Sequence, residues 1–290
     1  MSEPSHAPPM TAQAPFAIEV ENLGVQYDLR FNRKTTIRQT FANVVSRRPP
    51  PRFWALREVD ISLVRGESLG VIGPNGAGKS TLLQVLAGIM RPTEGRVDVR
   101  GSISGLLGLG AAFDNELSGI DNILLGGAFL GVDDAIIREL LPSIVEFADI
   151  GQFIDAPIKT YSAGMRARLG FALATSIDPD ILLLDEVLAT GDAAFREKSK
   201  ARVIELVKSA KAVVLVTHDM DWVVEYCNRA ILLEKGRLIK EGSPDEVVAL
   251  HLERVAESTA QREAAARAGG LDPRVIEEER RLRRRPQTQA

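Results

Sequence analysis

The sequence predicts an α/β fold: a sheet of parallel strands covered on both faces, with a β-rich N-terminal portion and an inserted helical subdomain. Three observations carry this reading. The runs Ile181–Leu184 and Ala212–Val216 are short, aliphatic and continuous, as strands buried on both faces are. Ser68–Ile72 is a third short apolar run, followed by a glycine-rich loop and a helical pattern over Ser80–Leu86. Helical stretches separate the strand-like runs, the alternation of an α/β domain.

The bulk numbers agree. The chain has 290 residues, 45% hydrophobic and 26% charged, enough for two domains or one large unit with an insertion. With 36 basic against 39 acidic residues there is no chain-wide positive field, so nucleic acid is not an expected partner. The one cysteine, Cys227, has no Cys or His neighbour at zinc-ligand spacing and reads as a buried structural thiol of a reducing compartment. Residues 1–15 are rich in Pro, Ala and polar residues; they lack the pattern of a secretory signal and read as a disordered tail. No run approaches the roughly 18 to 20 apolar residues that cross a bilayer, so a membrane role runs through a partner.

In chain order, Phe16–Tyr27 alternates apolar and polar residues as a strand does, and a second strand-like run covers Trp54–Val64. Between them, residues 30–53 form a basic insertion: Arg30, Arg33, Lys34, Arg38, Arg47, Arg48 and Arg52, with no acidic residue, closing on Pro49, Pro50 and Pro51. Ile37, Phe41 and Val44/Val45 recur there at helical spacing. The insertion is either a solvated loop or a basic amphipathic helix at a lipid surface, where each basic residue contributes about 1 kcal/mol. From Leu117 to Asp155 helix-like segments are interrupted by Gly126, Gly127, Gly131 and Pro142, a smaller helical subdomain over about residues 106–169. The main domain spans 16–250, and the charged residues 251–290 read as a solvated helix or disorder.

The chemistry lies at strand ends. Gly73-Pro74-Asn75-Gly76-Ala77-Gly78-Lys79-Ser80-Thr81 fits the P-loop pattern in its proper place, after a strand and opening a helix. Its backbone N–H groups and the helix N-terminus suit phosphate oxygens. Lys79 is expected to reach the β and γ phosphates of ATP, Ser80 to hold Mg²⁺, and Thr81 to touch the α phosphate. Ile181–Leu184 delivers Asp185 and Glu186 to the carboxyl edge of the sheet; Asp185 suits the outer coordination of Mg²⁺, and Glu186 can orient or deprotonate a water. Ala212–Val216 ends in Thr217 and His218, placing His218 at the same edge for a γ-phosphate contact. His6 and His251 lie in the tails and carry no such argument. Tyr161-Ser162-Ala163-Gly164-Met165 opens a helix with Met165, Leu169, Leu173 and Ile177 at a spacing of four and Ser162 as its N-cap.

Together the P-loop, the Ser162/Gly164 helix start, Ile181–Glu186, Gly191-Asp192 and His218 resemble ATP-binding cassette (ABC) ATPases over about residues 16–245. The resemblance implies a P-loop NTPase fold of ABC-ATPase type and a homodimer of cassettes, with each ATP between the P-loop of one subunit and Ser162 and Gly164 of the other. It places Asp192 in a loop linking the two sites. Three features depart from the common pattern: Tyr161, Ala163 and Met165 replace Leu, Gly and Gln; Val187 follows Glu186 where Pro is common; and Ser102–Asn122 contains no Gln, so none is assigned to the Mg²⁺ shell.

The Tyr161/Met165 signature, the segment Leu106–Phe113, Phe53–Leu56 and the basic insertion resemble the branch that exports O-antigen, capsule, teichoic acid and galactan. By that resemblance the chain is a peripheral ATPase on the cytoplasmic face of the inner membrane, working with two copies of a separate transmembrane permease on a lipid-linked glycan. Tyr27 matches the adenine-stacking aromatic, with Trp54 the alternative. An exporter of lipid or drug shares the same motifs. A soluble cassette acting on ribosomes or DNA is a further alternative, against which stand a single P-loop and no sustained heptads.

Overall fold

The computed structural model describes residues 16–28, 52–105, 113–185 and 192–268. Strands β1 (Phe16–Asp28) and β2 (Arg52–Val64) pair antiparallel, and β4 (Glu94–Val99) pairs with the other edge of β1, giving a sheet of order β2-β1-β4. A six-stranded sheet has the order β5-β6-β7-β3-β8-β9: β5 is Ile103–Gly105, β6 Ile181–Asp185, β7 Ala212–Val216, β3 Glu67–Ile72, β8 Arg229–Glu234 and β9 Arg237–Gly242. Its pairs are parallel except β8 with β9. The two continuous aliphatic runs and the apolar run before the glycine loop are therefore its central strands, β6, β7 and β3, covered from both sides.

Helix α1 (Lys79–Leu86) and the antiparallel sheet cover one face, where Leu56, Leu63, Val71, Leu82, Leu83 and Val214 share a core. The opposite face is covered by α4 (Ala163–Ser176), α5 (Ala193–Ser209), α6 (Met220–Tyr226) and α7 (Pro244–Ala268) through Phe171, Phe195, Val203, Trp222, Val223 and Val247. Cys227 belongs to this layer; burial pushes its thiol pKa up to about 12, an inert structural cysteine.

A third core, with Ile123, Ile137, Ile144, Leu169 and Leu173, joins α2 (Gly119–Phe129) and α3 (Asp134–Ala148) to α4, the expected helical subdomain. Its internal breaks differ from the sequence reading. Helix α2 runs through Gly126 and Gly127, because the missing side chains admit neighbours: a Cβ would lie 2.5 Å from Leu173 Cδ2 at Gly126 and 2.6 Å from Ile137 Cγ1 at Gly127. Helix α3 likewise continues through Pro142, whereas Gly131, at φ +74°, follows the end of α2.

At the amino edge of the sheet Asp180 joins three strands: it accepts from Ser102 N at 2.9 Å and Ser102 Oγ at 3.1 Å before β5, and from Lys211 Nζ at 2.5 Å before β7. These bonds, that to Lys211 first, lower its pKa to about 2. Helix α7 passes without a break through residue 250 and is solvent-exposed from Leu252 to Gln261. No helix among the described residues is long and apolar enough to cross a membrane.

Candidate active site

The loop between β3 and α1 has a shape that only its glycines permit. Gly73 adopts φ +150° and Gly78 φ +107°; a Cβ on Gly73 would collide with the carbonyl oxygen of Leu233, and one on Gly78 would lie 2.6 Å from that of Ala55. Ala77 N donates to Pro74 O at 3.1 Å and Gly236 N to Ala77 O at 3.0 Å, so the loop is anchored to the β8–β9 turn. The first turn of α1 has no acidic residue and no side-chain cap. Its N–H groups and positive dipole end are thus suited to an anion.

Lys79 is only 7% exposed, and its Nζ donates to Gly73 O at 2.6 Å and Pro74 O at 3.2 Å, folding over the loop. A cavity of about 310 Å³ opens here, lined by Asn75–Thr81, Asp185 and His218 together with Tyr27 and Phe53. Parallel pairing in the order β6-β7-β3 brings these groups together, because Asp185 ends β6, His218 follows β7 and the loop follows β3. Ser80 and Asp185 contribute hydroxyl and carboxylate oxygens, the hard donors that suit Mg²⁺. The glycine cradle, the uncapped helix and this donor pair fit a magnesium nucleotide. Glu186 and Gly191, the segment 106–112 and the basic insertion up to residue 51 lie outside the described residues.

The aromatic assignment changes in detail. Tyr27 lines the cavity, 38% exposed, with its hydroxyl 3.3 Å from Met90 Sδ. Its partner across the β1–β2 ladder is Phe53, 51% exposed, which the sequence reading did not single out as a site residue. Strand alternation sends Trp54 the other way, towards Gly24 and beneath the Arg57 guanidinium at 5.4 Å. The even spacing of Phe53 and Ala55, both on the cavity wall, was the available signal.

Ser162 and Gly164 do not line this cavity. They are exposed at the start of α4, where Ser162 Oγ caps Met165 N at 3.1 Å and a Cβ on Gly164 would meet nothing closer than 3.8 Å. Tyr161 is buried behind them and donates to Phe153 O at 2.7 Å; burial raises its pKa. Tyr161 thus packs into the subdomain core. Asp192 caps α5, accepting from Phe195 N at 2.9 Å, and this bond, aided by Arg168, lowers its pKa.

The sequence model of the ABC transporter family matches residues 56–189. The teichoic acids export ATP-binding protein TagH of Listeria monocytogenes serotype 4b (strain F2365) is 38% identical over 230 residues, 79% of this chain and 68% of that protein. The chain belongs to the ABC transporter family. Another relative of this cassette is the O-antigen export system ATP-binding protein RfbB of Myxococcus xanthus, 42% identical over 229 residues, 77% of this chain; the cassette spans about half of that protein, 52%. Among solved structures, a dimeric ATP-binding cassette in a post-hydrolysis state with ADP and Pi shares the fold, with a TM-score of 0.59 and 22% identity over 78% of this chain and 98% of that one.

His251, which the sequence reads as a tail residue, lies within a helix that packs on the sheet. It is 7% exposed on α7, and burial first, then the charge of Lys79, lowers its pKa. A sequence read element by element gave no cue that α7 packs back against β3 and β8.

Proposed function

We propose that this cassette binds and hydrolyses ATP as the nucleotide-binding subunit of an exporter of lipid-linked polysaccharide. The observation that carries the reading is the convergence of the glycine cradle, Lys79, Ser80, Asp185 and His218 on one cavity at the carboxyl edge of the sheet. The names of its relatives, O-antigen and teichoic acid export proteins, support the choice of cargo.

In this reading the N–H groups of Gly76 to Ser80 bind the phosphates, Lys79 turns from the loop carbonyls to the β and γ phosphates, and Thr81 contacts the α phosphate. Ser80 and Asp185 hold Mg²⁺, which offsets phosphate charge when bound. Tyr27 and Phe53 flank the adenine. Glu186 orients and deprotonates the attacking water, and His218 contacts the γ phosphate. The exposed Ser162 and Gly164 complete the site of a second cassette, so two chains close around two nucleotides, with Asp192 at the crossing. Loss of the γ phosphate biases the pair towards the open form. Two copies of a transmembrane permease, reached from the cytoplasmic face, convert that alternation into movement of the glycan.

The test is ATP hydrolysis by the purified chain, alone and with a permease in lipid, with and without polyprenyl-linked glycan. Stimulation by permease and glycan together is expected, and Glu186→Gln is expected to keep ATP binding while slowing turnover by about 10² or more. Hydrolysis indifferent to any membrane partner would overturn the exporter reading.

A further inference from the structure

We propose that the groove between α3, α4 and α5 is a binding site for a single-chain alkyl carboxylate, whose chain lies on the apolar floor and whose head group meets Lys198. The site is separate from the nucleotide cavity and does not depend on ATP.

Three helices shape the groove, which has a volume of about 450 Å³. Leu140, Ile144 and Phe147 follow one face of α3 at helical spacing, Ala172 lies on α4 and Ala201 on α5. Ile144 and Ala172 are buried at the base, Leu140 and Phe147 are half-buried on one wall, and Ala201 is exposed on the other. The volume falls in the range of about 300 to 1,000 Å³ that small-molecule sites occupy, and it suits one alkyl chain better than two. Thr175 and Ser176 line the groove where α4 ends, before β6 enters the sheet at its amino edge, whereas the nucleotide cavity lies at the carboxyl edge.

The polar groups of the lining select the head group. Lys198 Nζ donates to Phe147 O at 3.2 Å and stands 4.3 Å from the centroid of the Phe147 ring. Among the described residues no carboxylate pairs with Lys198, and an ammonium that makes one carbonyl bond keeps two N–H donors for an anion. Arg202 is committed elsewhere: Nε and Nη2 donate to Thr175 O at 3.1 and 2.8 Å, and Nη1 to Glu205 Oε2 at 3.1 Å. Glu205 is thereby paired and offers a poor seat to a cationic head. The lining hydroxyls also donate inward, Ser143 Oγ to Leu140 O at 2.7 Å, Thr175 Oγ1 to Phe171 O at 2.7 Å and Ser176 Oγ to Leu173 O at 2.8 Å. A sugar, which needs several donors and acceptors around its ring, therefore finds few partners here. One unmatched positive charge at the rim of an apolar groove complements a monoanion with an alkyl body. An occupant touches α3 of the helical subdomain and α5 of the layer on the sheet at once, so binding stiffens the junction between them.

The test titrates the full-length protein with octanoate, and with octanol and octylamine as matched probes, following the methyl NMR signals of Leu140, Ile144 and Ala201. Octanoate is expected to give saturable shifts with a Kd on the order of 1 mM, and octanol and octylamine to bind about fivefold more weakly. Lys198→Met should weaken octanoate about fivefold and leave octanol unchanged, while Lys198→Arg keeps the octanoate affinity. Ala201→Trp fills the groove from α5 and should abolish binding; Ser143→Trp fills it from α3 and serves the same purpose if the first variant does not fold. Octanol binding as tightly as octanoate, octanoate binding that survives the Trp variants, or no shift at about ten times that Kd would each overturn the proposal. None of these outcomes bears on the ATP-binding reading, which hydrolysis tests separately.

Discussion

Arg168 Nη2 lies 2.6 Å from Asp192 Oδ2, tying the helix that starts at Ser162 to the cap of α5. The same guanidinium donates through Nη1 to Asp149 O at 3.0 Å and sits 4.9 Å from the Phe195 ring centroid, with its side chain 18% exposed. The helical subdomain and the layer on the sheet therefore meet at one cation. If two chains close as proposed, this contact is expected to couple the placement of Ser162 to that of Asp192.

Removing that cation should loosen both elements. Arg168→Ala is expected to destabilise the fold by about 1 to 3 kcal/mol, since it ends a charge-assisted bond and leaves the Asp149 carbonyl without this donor. Asp192→Asn should cost less because Asp192 is exposed and still caps Phe195 N. A double-mutant cycle by urea unfolding checks the pair, and additive effects would show that the contact carries no coupling.

Lys79→Ala should weaken ATP binding by about 2 kcal/mol, roughly thirtyfold, with little loss of stability. Lys79 Nζ donates to the carbonyls of Gly73 and Pro74, neutral acceptors, so a charged phosphate contact is the larger loss. Equilibrium titration with a fluorescent nucleotide measures the first effect and thermal melting the second.

The loop glycines should differ sharply. Gly73→Ala places a methyl group against the Leu233 carbonyl and is expected to cost about 3 kcal/mol or more. Gly76→Ala meets nothing within 4 Å and should cost about 1 kcal/mol, the penalty of its φ of +78° alone. Chemical denaturation of the two variants tests this order.

Phe53→Ala and Tyr27→Ala are each expected to weaken ATP binding by about 1 kcal/mol through lost ring contact, and Trp54→Ala to leave affinity unchanged. A preference for ATP over a nucleoside triphosphate with a smaller base should fall only in the first two.

Asp180 sets an acid limit on stability. Its folded pKa of about 2 lies below the usual 3.8, so its contribution is complete above pH 3.8 and lost as the pH falls towards 2. Because the carboxylate is still partly exposed, at 26%, solvent screening holds that contribution to about 1 kcal/mol. Asp180→Asn should lower stability by this amount at pH 7 and by much less at and below pH 2, measured by urea unfolding across that range.

Much of the fold was legible because its central strands carry their burial in their composition. Ile181–Leu184 and Ala212–Val216 contain no polar residue, and only a strand covered on both sides tolerates that. Strands β4 and β9 are mostly half-exposed or exposed and lack such a run, so no comparable signal marked them. The breaks assigned to Gly126 and Gly127 misread the local cost of glycine in a helix, which here is offset by the close approach of Leu173 and Ile137.

The sequence by itself determined the local chemistry: a glycine loop before Lys79, a carboxylate ending one aliphatic strand, a histidine following another, and a serine capping α4. Each depends on neighbours within a few residues, through backbone conformation and side-chain caps. The tertiary structure decided which of these groups meet. Strand order β6-β7-β3 gathered Asp185, His218 and Lys79, the β1–β2 register chose Phe53 over Trp54 for the cavity wall, and the packing of α7 on β8 buried His251. These are contacts between residues far apart in the chain, set by how apolar faces pack, and a local pattern does not encode them.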